Sequence, residues 1–280
     1  MLRYISIFFI SILFVSCAEF ENGVQETDPK PVVEGYLIPG VQVTIRIHKE
    51  IPYTADSTAN KEVPIDGLAI KLTGPNSSVT LISKGSGMYQ APADFAVKVG
   101  GVYSLNFDYH GKAISASTKI PSKPVQYAAD KTIISRQAVN LTPGFNNGTR
   151  PGGFGGSENS ITLTWSNPDN DYFISVVENL EANPVEIIKF PVDTTRVRPN
   201  IRFRNEPIQG TVAEIRSQSF QYFGHHRIVL FKLNPDYVAL YQRNGNTTQN
   251  ISTPPTTINN GLGIFTGVNA DTLFVRVIPE

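Results

Sequence analysis

In 280 residues, 24 Lys plus Arg balance 24 Asp plus Glu, so no net field draws the chain to nucleic acid. A hydrophobic content of 40% excludes global disorder, and the length exceeds one average domain and suggests two. Sixteen Phe and 11 Tyr against one Trp and two Met, with 22 Gly and 20 Pro spread along the chain, suit strands and turns better than helices.

The chain opens with Arg3 and then an apolar run from Tyr4 to Val15, broken only by Ser6 and Ser11. Such a run has the length of a signal-peptide core and falls short of the roughly 20 residues that a membrane-spanning helix needs. It ends at Ser16-Cys17, and Cys17 is the only cysteine, so a disulfide framework is excluded. Small Ser16 before Cys17 resembles the cleavage site of bacterial lipoproteins, although Phe14 stands where Leu is usual. On this reading residues 1–16 are a signal peptide and Cys17 carries the lipid, since two or three acyl chains anchor where one binds only marginally. The alternatives are a plain signal peptide with an incidental cysteine, or a buried N-terminal strand.

Residues 17–30 contain Glu19, Glu21, Glu26 and Asp28 and few large apolar groups, which predicts a flexible tether. Acidic residues after the cysteine resemble the export signal of Bacteroidetes surface lipoproteins. This implies an outer-membrane protein, with the cell surface preferred over the periplasmic face.

Residues 31–123 read as a first β-sandwich. Strands are expected at 32–37, 41–47, 68–72, 79–82, 88–89 and 102–109, with a hairpin turn at His110-Gly111 into 112–118. The wording Pro64-Ile-Asp-Gly-Leu, then Gly-x-Tyr, then Gly100-Gly-x-Tyr-x-Leu resembles transthyretin-like or Ig-like surface modules, which bind or space and do not catalyse.

Residues 124–280 read as a second sandwich, fibronectin-like or jelly-roll-like, interrupted by a Gly-rich insertion at 140–160 that carries Phe145 and Phe154. Whether that loop orders on a partner stays open. Strands are expected at 160–166, 172–177, 198–203, 217–223, 226–233 and 272–278, and one helix at 235–243. Trp165 is expected as a core anchor. The fold class is therefore all-β, two tandem β-sandwich domains after a lipoprotein signal peptide.

Three segments carry a wider resemblance: Val32-Val-Glu-Gly-Tyr-Leu37, Lys232-Leu-x-Pro-Asp-Tyr237 and Asn260-Gly-Leu-Gly-Ile-Phe265. Their order and spacing are similar to a Bacteroidetes outer-membrane lipoprotein family known as domain of unknown function 4249. The resemblance implies a lipoprotein encoded beside TonB-dependent receptors, and no functional residue beyond Cys17.

Motifs that carry chemistry are weak. Gly261-Leu262-Gly263 lacks the third glycine of a phosphate loop and reads as a tight turn. Asp169-Asn170-Asp171 lacks the further ligands of a calcium loop and reads as an Asx turn. His225 and His226 point to opposite faces of a strand and do not share a metal, and the remaining histidines are His48 and His110. No catalytic residue, metal site or cofactor is expected. Arg196, Arg198, Arg202 and Arg204 form a basic stripe, either a solvated strand edge or a contact for anionic glycan. Ser57, Thr194 and Thr272 match the Bacteroidetes O-glycosylation pattern. The leading expectation is a non-enzymatic binding lipoprotein beside a TonB-dependent uptake system. A structural or adhesive surface protein and a glycan- or peptide-acting enzyme are the alternatives.

Overall fold

A computed structural model describes residues 29–51, 61–140, 160–189, 203–242 and 255–280. The leader, the tether through residue 28 and most of the 140–160 insertion lie outside these residues. In chain order the first strands are β1 (Pro31–Leu37), β2 (Thr44–Lys49), β3 (Lys71–Thr73), β4 (Ser78–Thr80), β5 (Ile82–Gly85), β6 (Met88–Gln90), β7 (Val102–Tyr109), β8 (Lys112–Lys119) and β9 (Val125–Ala129). There follow β10 (Ile133–Arg136), β11 (Val139–Asn140), β12 (Ile161–Ser166), β13 (Tyr172–Asn179), β14 (Ile188–Lys189), β15 (Phe203–Arg204), β16 (Val212–Ile215) and β17 (Gly224–Leu233). Helix α1 (Pro235–Gln242) and the long strand β18 (Leu262–Pro279) close the chain. The molecule is all-β.

Among the described residues, one sheet runs β15-β13-β17-β18-β1-β2-β6-β5, with β10 joining β18 outside that path. A four-stranded sheet, β4-β3-β7-β8, and a three-stranded sheet, β16-β12-β9, supply the other layers. Where alternation is clean the strands form as read. In β7, Tyr103, Leu105, Phe107 and Tyr109 are buried while the residues between them face out. The β7–β8 turn places His110 and Gly111 at φ 51° and 73°, and Asp108 Oδ1 accepts the Gly111 N–H at 3.0 Å. Two consecutive positive φ values match the twist of a two-residue hairpin.

The large sheet is held together by β18. Its first six residues pair parallel with β1, Val32 opposite Leu262 through Leu37 opposite Gly267. Its next ten pair antiparallel with β17, Val268 opposite Leu233 through Val277 opposite Gly224. At roughly 3.3 Å per residue, this strand extends for about 60 Å. Phe265 belongs to a core with Ile45, Leu105 and Ile114, whereas Val275 and Val277 belong to a core with Leu163, Trp165 and Phe173. These β18 residues are all odd-numbered and so face one side of the sheet, which puts both cores on that side. Helix α1 covers the other side near the middle of β18, where Val238 packs with Ile174, Leu233 and Val268.

Several expectations are corrected. The strand expected at 79–82 is two strands: β4 pairs with β3 and β5 with β6, in different sheets, and buried Leu81 is the pivot between them. The strand expected at 68–72 shortens to β3. Residues 217–223 hold a 3-10 turn at Ser217–Ser219 instead of a strand. There the Arg136 guanidinium satisfies the Ser217 and Phe220 carbonyls that a ladder would otherwise have used, freeing Phe220 to enter the second core. Gly261-Leu-Gly263 is not a turn between two strands, because β18 begins at Leu262. Finally, Ile258 and Phe265, from the segment grouped by sequence with residues 124–280, pack in the first core.

The junction between the cores is polar and closed. Asn234 Nδ2 donates to the carbonyls of Lys119 and Gly267, at 2.9 and 3.1 Å, and to Thr118 Oγ1 at 3.2 Å. Lys232 Nζ pairs with Asp171 at 2.5 Å and donates to Ser122 Oγ at 3.0 Å. Lys123 pairs with Asp271 at 2.9 Å. Thus residues 118–123, which leave the first sandwich, are bonded to Lys232 of β17, to Asn234 just after that strand and to β18.

Candidate functional site

The three sequence segments singled out above converge. The first is β1 and the third is the start of β18, and these two strands are hydrogen-bonded neighbours. The second spans the end of β17 and the start of α1. Asp236 Oδ1 accepts from Thr266 Oγ1 at 2.9 Å, and the Tyr36 and Tyr237 rings meet edge to face with centroids 6.0 Å apart. Gly263 sits at φ 97°, and a Cβ there would lie 2.1 Å from the Val33 carbonyl oxygen. The residue types in these segments therefore serve backbone approach and packing.

A family model described as a domain of unknown function (DUF4249) matches residues 18–273. The chain belongs to the DUF4249 family. Comparison with curated proteins finds no match. The match covers the converging segments and most of both DUF4249 cores.

Few of the sequence candidates come together in this DUF4249 chain. Cys17, Ser57, Thr194, Phe145, Phe154, Arg196, Arg198 and Arg202 lie outside the described residues. Arg204 stands exposed on β15 at the end of the large sheet, opposite Val176. Thr272 lies in β18 opposite Val229. Trp165 is a core residue, 4% exposed, its ring centroid 5.4 Å from that of Phe173. The Asp169-Asn170-Asp171 segment is a turn held by Asn167, whose Oδ1 accepts the Asp171 N–H at 2.8 Å and whose Nδ2 donates to the Asp171 carbonyl at 2.9 Å. Asp171 is also committed to Lys232. No group of three or more His, Cys, Asp or Glu able to hold a metal occurs among the described residues. Nor is any helix among them long and apolar enough to cross a membrane.

A cleft of about 100 Å³ lies between α1 and residues 255–264. Small-molecule sites run from roughly 300 Å³ upward. Its polar groups are also turned inward: Thr256 Oγ1 donates to the Gly263 carbonyl, Thr257 Oγ1 accepts from the Phe265 N–H, and Asp236 is held by Thr266.

The surface best suited to contact is the outer face of the large sheet behind the second core. Across three strands, Glu178, Arg227 and Phe274 stand in one row. Phe274 is 65% exposed, the most exposed of the large apolar residues described. In the next row His225 stands opposite Arg276, and Arg276 opposite exposed Ile133 of β10. Arg227 Nε donates to Glu178 Oε2 at 2.5 Å. Glu181 closes the margin: its Oε1 accepts the His225 backbone N–H at 2.6 Å and lies 2.9 Å from His225 Nδ1. These bonds from His225, the backbone one first, hold the Glu181 carboxyl below its ordinary range. Sequence reading did not find this face. It singled out Thr272 and set His225 and His226 on opposite faces of a strand, as the structure has them, but Phe274 and Ile133 become visible only once the covered side of the sheet is known.

Proposed function

We propose that this protein is an outer-membrane lipoprotein, anchored through Cys17, that binds without catalysing and serves beside a TonB-dependent uptake system. The anchoring part rests on the leader, in which a basic start, an apolar run and a small residue precede the chain's only cysteine. The binding part is carried by one observation, the exposed patch of Phe274, Arg227 and Arg276 in two adjoining rows of the outer sheet face. An aromatic ring beside guanidinium groups fits a glycan bearing carboxylate or phosphate: the ring covers an apolar sugar face and an arginine takes the anion. Soluble anionic and neutral oligosaccharides, titrated against the wild type and a Phe274→Ala/Arg276→Ala variant, test this part. The reading expects weak binding of the anionic sugars that the variant loses, and equal binding by both proteins contradicts it. Metabolic labelling with a fatty-acid probe tests the anchor. Label that disappears in Cys17→Ala supports it, and label retained in that variant sinks it.

A structural or adhesive role is the second reading. It is favoured by β5, a terminal strand of the large sheet whose four residues are all exposed. Such an edge can accept a further strand. Regular oligomers after mild extraction support this reading, and a strictly monomeric protein weakens it.

A further inference from the structure

Beneath the exposed row, on the core side of β17, His226 is 2% exposed, and every polar atom of its ring is used. Nδ1 lies 3.1 Å from the Gly224 carbonyl oxygen, an acceptor only, so Nδ1 carries the proton. Nε2 lies 3.1 Å from Asn179 Nδ2, a donor only, so Nε2 must accept. The orientation of Asn179 is set in turn, because its Oδ1 accepts the Glu181 N–H at 3.0 Å. The Phe220 ring meets the imidazole edge-on, with centroids 5.1 Å apart. The imidazole is therefore built in as the neutral, Nδ1-protonated form. A second proton on Nε2 would face the Asn179 amide hydrogens and place a charge against Phe220.

We propose that His226 is an acid-sensitive latch: its protonation breaks the bond to Asn179 and opens the joined ends of β13 and β17, releasing the Glu181–His225 clamp.

The charged surroundings do not compensate. Glu181, beyond Asn179 and engaged by His225, favours the protonated ring, but by less than burial opposes it. His225 on the same strand opposes a second charge. On β18 the residue opposite His226 is Val275, while Arg276 stands opposite His225 on the outer face. Arg136 of β10 is bonded to the Ser217 and Phe220 carbonyls, and Glu280 lies near Arg136. Glu178 and Arg227 pair on the outer face. Burial pushes the His226 imidazole below its ordinary value of 6.5. The closed form thus binds fewer protons than the open one, so closure is complete above 6.5 and weakens as pH falls below it toward the lower closed-state value. Each pH unit inside that window reduces the closed-to-open ratio by up to about tenfold.

The test follows the four histidine rings of the full chain in detergent by nitrogen NMR. Backbone hydrogen exchange is measured alongside between pH 8 and 4.5, corrected for intrinsic rates. Expected is a neutral, Nδ1-protonated His226 that gains its second proton only below the ordinary 6.5. Protection of the Leu180 amide, bonded to the His225 carbonyl at 2.9 Å, should fall in the same window by up to about tenfold per pH unit. Asn179→Asp keeps the acceptor for the Glu181 N–H and adds one for Nε2–H, so it should raise the His226 pKa and remove the opening. His226→Gln should also remove the opening, and His225→Gln should retain it. An opening that persists in Asn179→Asp, or a His226 that titrates with no change in exchange, overturns the proposal.

Discussion

The Asn269 side-chain amide donates to the Pro121 carbonyl at 3.0 Å, tying the middle of β18 to the segment that leaves the first sandwich. With Asn234 and Lys123 it makes the join between the two cores a bonded seam. Asn269→Ala leaves the Pro121 carbonyl without this partner, and the expected cost is about 1–3 kcal/mol. Urea unfolding measures it, and faster amide exchange near Val125 should accompany it. An unchanged midpoint would show that the seam is not stabilising.

Phe265 tests the sharing of β18. Its ring is fully buried among first-core residues although its strand continues into the second. Phe265→Ala should destabilise by about 3–5 kcal/mol. Loss of protection should be greatest in β7 and β8, the strands of the first core. Loss confined to β12 and β16 would contradict the assignment.

Gly263 tests the parallel contact of β1 with β18. At φ 97° and with the Val33 carbonyl where a Cβ would sit, Gly263→Ala forces the two strands apart. A loss of about 1–3 kcal/mol is expected from the backbone strain alone. Thermal unfolding of the variant reads it directly.

Glu181 gives a pH prediction of opposite origin to that of His226. Its carboxyl is held below the ordinary 4.5 by the bonds from His225, so the stability it contributes is present above that value and is lost as pH falls through the lower folded value. Glu181→Gln should flatten the pH dependence of unfolding below 4.5 while leaving the step assigned to His226. Superimposable acid profiles of the two proteins would contradict this.

How much of this the sequence disclosed follows from how each strand is covered. In β7 one face is buried and one is wet, so the period of two survives in the sequence and the strand and its hairpin were readable. The first half of β18 has a core on one side and α1 on the other. Ile264, Phe265, Thr266, Gly267, Val268 and Asn269 are all buried, so no alternation remains, and its glycines mimic a loop. The second half, with one face open, was found. β4 and β5 read as one strand because a pivot at a single buried leucine leaves no composition signal. The three family segments were legible as words, yet their meaning, two adjacent strands and the helix start packed on them, needed the fold. Phe274 was hidden for the reverse reason. A large apolar residue in an alternating strand reads as core, and only the fold shows that Phe274 stands on the exposed face.

The most direct test of the proposed role is mass spectrometry of partners cross-linked to the protein in intact cells, with Cys17→Ala as the control. The account predicts recovery of a TonB-dependent receptor that is lost in the control. Recovery of only further copies of this chain, or of the same membrane partners with Cys17→Ala, would contradict it.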